Sequence, residues 1–494
     1  MRPTVRLLTA SACLASLALG TVAANAGLTP LSLDAVSGYL ATHGAVSSKA
    51  PAQDGAVAGA TPRAECGPGS LPETGRQGRV PRAEYENGRA KQGYTCNAEQ
   101  VGHYGEAGGF QVHRYVDASG RECAYYDSTL LFPLDKLATA SEPGVFVLDM
   151  SDPANPVRTA FLPTYASSTP HESLRLNAER GLLVAVGGSP ITQLGIVDVY
   201  EVSADCRNPV LRSTSPLGFL GHESGMSPDG NTFWVAATAQ PHVIALDISD
   251  PALPTVVWQT SDYTSHGMSL SDDGNRLYLT DMDRRGITIL DVSEIQARSA
   301  NPQVREISSL TWPEASIPQN SIPVTIKGKP YLVEIDEYSR DVTSYDPMSP
   351  VGAARIIDIS DETQPKVVSN LRLEVHQPEA RRDDQQDDPG AQQGVQGYAG
   401  HYCSVPQREE PGIVACSFIL SGLRVFDIRN PQNPKEIAYF NRPAPLGLPL
   451  KEGAYAMSAP AFAPERDEIW YSDGNSGFYS VRLTNDVWKK SKQR

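Results

Sequence analysis

Basic residues are in short supply: 42 Lys+Arg stand against 57 Asp+Glu in 494 residues, a formal net charge of −15. Nucleic-acid binding rests on a positive footprint that displaces counterions, so that class of partner is excluded. The chain has no C-x-x-C pair, which removes a redox dithiol and a cysteine zinc site. It also has no G-x-S-x-G elbow, no P-loop, no H-E-x-x-H and no G-x-G-x-x-G between a strand and a helix. His171-Glu-Ser and His222-Glu-Ser each set a serine two residues from a histidine, but a catalytic triad is defined by geometry, not by such proximity. Charged residues make up 20% and the mean hydropathy is −0.31, fitting neither a membrane protein nor a disordered acidic tail. No long segment carries a 3.6-residue apolar period, so helix is expected to be scarce.

The one long apolar run, Leu7 to Leu19, is too short to span a bilayer, which takes roughly 20 apolar residues. Arg2 and Arg6 precede it and Ala24-Asn25-Ala26 follows, so residues 1–26 read as a secretory signal cleaved near Ala26, with no membrane span. Cys13 interrupts the apolar run, whereas a lipoprotein cysteine would follow it. Residues 27–65, rich in Ala, Gly, Ser and Pro, read as a flexible leader, and residues 66–494 as a single domain. Six cysteines remain after cleavage: Cys66, Cys96, Cys123, Cys206, Cys403 and Cys416. An even number in an exported chain predicts three disulfides. Cys403 and Cys416 flank a hairpin turn and are expected to pair; the other four leave three connectivities open.

From Gly144 onward one pattern recurs. It stands as Val145-Phe-Val-Leu-Asp149-Met-Ser-Asp-Pro, as Val243-Ile-Ala-Leu-Asp247-Ile-Ser-Asp-Pro, and as Ile287-Thr-Ile-Leu-Asp291-Val-Ser. It returns as Ala354-Arg-Ile-Ile-Asp358-Ile-Ser-Asp and as Leu423-Arg-Val-Phe-Asp427-Ile-Arg-Asn-Pro, with degenerate copies at Glu201 and Arg482. The anchors lie 44 to 69 residues apart, and the shorter spacings match one four-stranded propeller blade. The fold class predicted is therefore all-β, a seven-bladed β-propeller. Asp229-Gly230 and Asp273-Gly274 mark hairpin turns of the tightest type between the first two strands of their blades. The last copy, Gly477 to Leu483, has no strand after it, so an N-terminal strand within Gly88 to Gly109 is expected to close the ring. These Leu-Asp-Ile-Ser-Asp-Pro stretches resemble the LVIVD-repeat family of extracytoplasmic β-propellers over Gly144 to Leu483. The resemblance implies a propeller and export, and transfers no catalytic residue.

The repeat aspartates Asp149, Asp247, Asp291, Asp358 and Asp427 are expected to cap the Ser-Asp-Pro turns that follow them. The two widest spacings mark insert loops at 312–345 and 376–400; the second carries Asp383, Asp384, Asp387 and Asp388, which lack the spacing of a calcium loop. His171, His222, His266 and His401 each stand just before the first strand of a repeat. First strands line a propeller's axis, so these positions converge at one mouth, where neutral imidazoles suit Fe, Cu or Zn. Glu172 and Glu223 follow two of them and are placed to orient the rings as outer partners. Asn320 and Ala456 or Ser458 hold the corresponding places in other blades, which would leave an open side. The same histidines can instead stitch blades together through backbone hydrogen bonds. Two functions therefore stand side by side. One is a secreted scaffold binding a protein, glycan or small-molecule ligand at the channel mouth and insert loops. The other is a metal-dependent enzyme of oxidoreductase type.

Overall fold

The computed structural model describes residues 59–128, 144–187, 195–218, 222–238, 241–339, 349–385, 388, 397–444 and 453–492. Residues 1–26, expected as a signal, most of residues 27–65 and Asp387 lie outside them. Seven antiparallel sheets follow one another in chain order, each a blade running from the axis outward, six of four strands and the sixth blade of five. The innermost strands are Val112–Val116, Leu174–Asn177, Gly225–Met226, Ser265–Leu270, Ile317–Ile326, Gly400–Ser404 and Ala461–Ala463. The recurring pattern supplies the third strand of every blade, from Val145–Asp149 in blade 1 to Gly477–Leu483 in blade 7. These strands read as nearly continuous apolar runs because each sheet is covered on both faces by its neighbours. Each pair of neighbouring blades encloses its own apolar cluster, including the last pair, where Trp470 and Phe478 of blade 7 meet Ala124, Tyr126 and Leu148 of blade 1. Helical segments are short; Val487–Lys492 has 6 residues.

Ring closure falls where the open edge of blade 7 required it. Ala98–Tyr104 pairs antiparallel with Gly477–Leu483 as that blade's outermost strand. Just before it, Tyr94–Cys96 adds a fifth strand to Lys435–Asn441 of blade 6, covering that edge too. The chain before these strands is bound rather than loose. In residues 59–65, expected as the end of a flexible leader, the Thr61 N–H donates to Arg372 O (2.7 Å), the Ala64 N–H donates to Glu436, and Arg63 pairs with Glu374.

Three disulfides join Cys66–Cys96, Cys123–Cys206 and Cys403–Cys416, which marks a protein of an oxidising, extracytoplasmic compartment. Cys403 and Cys416 face each other across neighbouring strands of blade 6. Cys123–Cys206 ties the second strand of blade 1 to the turn after the third strand of blade 2. Among the described residues no helix is long and apolar enough to cross a membrane.

The repeat aspartates act locally. Asp149, Asp247, Asp291, Asp358 and Asp427 each accept the backbone N–H two residues on, at 2.8–3.0 Å. The Asp-Gly hairpins are wider than expected. The Ser271 N–H donates to Arg276 O, so Asp272 to Asn275 form a four-residue loop in which Gly274 takes φ 73. Asp273 accepts from the Ser271 hydroxyl and the Asn275 N–H, an arrangement a two-residue turn has no room for. The segment 312–345 is also mostly sheet: Ile317–Ile326 and Lys329–Glu337 pair along their whole length as the first hairpin of blade 5. The segment 376–400 opens with short helical turns, Glu374–His376 and Pro378–Ala380. Among the described residues, Asp383 pairs with Arg382 and Asp388 with Arg79.

Two consequences are measurable. Cys123–Cys206 closes a loop of 83 residues and Cys403–Cys416 one of 13, so C123S/C206S is expected to cost about 4.5 kcal/mol and C403S/C416S about 3 kcal/mol; thermal unfolding should rank them in that order. His376 accepts the Leu373 N–H at Nδ1 and donates from Nε2 to Tyr398 O. Burial, followed by the charges of Arg372 and Arg381, holds its pKa at about 3. The unfolded imidazole takes up a proton near pH 6.5 and the folded one does not, so this contribution is complete above that pH and is lost as pH falls, at up to about 1.4 kcal/mol per pH unit. Tm should drop more steeply between about pH 6.5 and pH 4 in the wild type than in His376→Gln; parallel curves would rule this out.

Candidate metal centre

Several innermost strands open with an irregularity at one mouth of the axis. The ladder slips between Ser265 and Met268, between Pro318 and Asn320, and between Gly400 and Tyr402. A residue in such a bulge is released from pairing and re-aimed; His266, Gln319 and His401 occupy these places. His171 reaches the same level through left-handed backbone, φ 51, and His222 precedes Gly225–Met226. All four histidines singled out from the sequence thus meet at the axis. His266 and His401 are fully buried, and His171 is the most open, with 13% of its side chain exposed.

Glu172 lies among the imidazoles rather than behind them. Its Oε1 is 4.0 Å from His171 Nε2 and 3.5 Å from His401 Nε2; its Oε2 is 3.6 Å from both His222 Nε2 and His266 Nδ1. Glu337, at the end of the second strand of blade 5, brings Oε1 to 2.6 Å from His266 Nε2 and Oε2 to 3.2 Å from His401 Nε2. His222 Nε2 and His266 Nε2 are 2.8 Å apart. Gln319 Nε2 donates to Glu172 Oε1 and the Tyr402 hydroxyl to Oε2, each at 3.1 Å. Donor atoms within 4.8 Å of one another form three overlapping sets: His171–Glu172–His222, His222–His266–Glu337, and Glu172–Glu337–His401. Four imidazoles were expected around one point; every compact set also contains a carboxylate.

The other expected positions also shift. Glu223 turns away from the rings: its carboxylate takes Arg175 and the Asn320 amide, and its N–H supports His266 through the carbonyl oxygen (3.0 Å). The bulge places Gln319 at the histidine level and Asn320 one residue further along. The side expected to be open is filled. The Phe110 ring lies 4.5 Å from that of His171 and 5.2 Å from that of His401, and the Met457 carbonyl faces His401 Nδ1 at 2.8 Å. Ala456 bridges Asp473, and Ser458 is spent on hydrogen bonds to Ser472 and Ser417.

Burial pushes the Glu172 carboxyl well above the usual range, helped by the charges of Glu337 and Glu223. Burial works the same way on Glu337, but the adjacent His266 and His401 imidazoles outweigh it and hold that carboxyl below the usual range. Glu223 is raised to about 7 by burial, against the pull of Arg175. On the far side of Tyr402 the axis widens into a cavity of about 320 Å³ lined by Arg175, Glu223, Met268, Asn320, Tyr402 and Arg408. Sequence reading missed Glu337, Gln319 and Tyr402. The alternation in Leu332-Val-Glu-Ile-Asp-Glu337, with its acidic end, was the available sign of a strand delivering a carboxylate to this mouth.

No family model and no curated protein matches the sequence. Among solved structures the chain is similar to Kuenenia stuttgartiensis hydrazine synthase, at 12% identity over 78% of this chain and 97% of that one, TM-score 0.48. It is similar to the periplasmic gluconolactonase of Pseudomonas aeruginosa, at 15% identity over 70% and 93%, TM-score 0.45. It is also similar to a functionally unknown protein from Desulfotomaculum acetoxidans, at 13% identity over 70% and 89%, TM-score 0.43.

The closeness of the layers beneath the rings can be tested at Gly267. A Cβ there would stand 2.1 Å from Glu223 Oε2 and 2.3 Å from Gln319 O. Gly267→Ala should destabilise by about 1–3 kcal/mol, read as a lowered Tm, because the carbonyl has no freedom to move; an unchanged Tm would contradict this packing.

Proposed function

We propose that this propeller is an exported, metal-dependent protein of oxidoreductase type, with a divalent first-row ion held at the axis by His222, His266 and Glu337. One observation carries the reading: these three donors lie together in a buried cluster whose two carboxylates, Glu172 and Glu337, face imidazoles, the Gln319 amide and the Tyr402 hydroxyl rather than Lys or Arg. Two carboxylates so buried are costly without positive charge, and a cation among them supplies it. Two imidazoles and one carboxylate are a donor set suited to Fe(II) or Zn, with Cu accommodated by imidazole. Such an ion, when bound, supplies redox or Lewis-acid chemistry. The chain's own part is to hold and orient. Gln319 and Tyr402 fix the Glu172 carboxylate, Phe110 shields the imidazoles from water, and the 320 Å³ cavity offers room for a small molecule.

The same cavity favours a second reading, a scaffold that binds a small ligand without metal, since Arg175 and Arg408 give it polar walls of their own. Export through residues 1–26, with cleavage near Ala26, belongs to both. Protein purified without a His tag separates the two. The first reading expects bound Fe, Cu or Zn by elemental analysis, and a stabilisation of about 2–3 kcal/mol on adding metal at a hundredfold excess over Kd. His266→Ala should lose both. Absence of metal, with no change in Tm on adding Fe(II), Cu(II) or Zn(II), would overturn the first reading and leave the scaffold.

A further inference from the structure

Neither of the two carboxylates at the axis points both oxygens at one neighbour. Glu337 offers Oε1 to His266 Nε2 at 2.6 Å and Oε2 to His401 Nε2 at 3.2 Å. Glu172 repeats the division: Oε2 stands 3.6 Å from His222 Nε2, while Oε1 stands 3.5 Å from His401 Nε2 and 4.0 Å from His171 Nε2. Of the three compact donor sets, His222–His266–Glu337 and Glu172–Glu337–His401 share Glu337, and His171–Glu172–His222 overlaps both. A carboxylate that serves a single ion would have both oxygens on the same side or one turned to a hydrogen-bond donor. Glu337 is instead spread between His266 and His401, which is how a carboxylate bridges two ions, while the Glu172 oxygens also accept from Gln319 and Tyr402.

We infer that the axis holds a dinuclear centre. One ion sits on His222, His266 and Glu337 Oε1, the other on His401, Glu172 Oε1 and Glu337 Oε2, with His171 at the open edge of the second. Glu337 bridges them and Glu172 supports the bridge, fixed by Gln319 and Tyr402 from opposite oxygens. Three imidazoles and two carboxylates give two divalent ions three protein ligands each, counting Glu337 twice, and leave positions for His171, water or substrate. Carboxylate-bridged pairs lie about 3.5–4 Å apart, a separation that lets one small molecule touch both ions. The inference rests on the metal reading above.

The test uses the full exported chain and Cu(II) or Zn(II) alone as probe. After loading and gel filtration, elemental analysis should give two ions per chain. His222→Ala and His401→Ala should each retain one, because each removes ligands from a different ion. With Cu(II), the bridged pair should show a depressed single-ion EPR signal in the wild type, restored per ion in either variant. One ion per chain in the wild type would overturn the dinuclear centre and leave the metal reading standing. Two ions with full, uncoupled EPR intensity would also overturn it, since the ions would not be bridged. No bound ion would overturn the metal reading itself. The wild-type count and EPR signal decide the matter even where a variant fails to fold.

Discussion

The pairing of Ala98–Tyr104 with Gly477–Leu483 joins the two ends of the described chain into one ring. Without it blade 7 would have an unpaired edge, and its cluster with blade 1 would lack the strand that seals it. Every contact at the axis depends on that closure. The rings of Phe110, His171 and His401 meet there although their residues stand far apart in sequence and on separate blades. The extra strand Tyr94–Cys96, the Cys66–Cys96 disulfide and the docking of residues 59–65 on blades 5 and 6 hold the closing segment from the other side.

Closure also makes the axis a dry place for charge. Glu172, Glu337, His266 and His401 are each at most 2% exposed in their side chains. Polar groups at such depth need partners, and here the partners are one another: imidazoles facing carboxylates, and the amide and hydroxyl of Gln319 and Tyr402. Arg175 is kept one layer below, engaged by Glu223, Gln111 and the Ser224 carbonyl. The axis is thus divided into a carboxylate–imidazole layer at the mouth and a cavity floored by an arginine–glutamate pair. A cation in the first and a small molecule in the second is the division of labour this arrangement suits.

What was legible in the sequence follows the range of each interaction. The repeat aspartates were legible because an Asp bonds the N–H two residues away, whatever the rest of the chain does. The histidines were legible because repetition carries a position from blade to blade, so a residue before the first strand lands near the axis. Glu337 was not, because its place depends on how far the second strand of blade 5 runs before it ends at the mouth. A single bulge exchanged Gln319 for Asn320 at the level of the rings, and no local pattern announces a bulge of that kind. Glu172 was expected outside the cluster and stands inside it because His171 adopts a left-handed backbone, which turns the next side chain inward. The Cys403–Cys416 pair was foreseeable from a hairpin; Cys123–Cys206 required knowing that blades 1 and 2 stand side by side.

What surrounds a bound ion decides the assignment of the axis. X-ray absorption at the metal edge of the loaded protein reads that shell directly. It should show nitrogen and oxygen ligands near 2.0–2.2 Å with imidazole scattering, and no sulfur. A shell of water oxygens without imidazole, or one containing sulfur, would place the ion elsewhere and contradict the assignment of the axis.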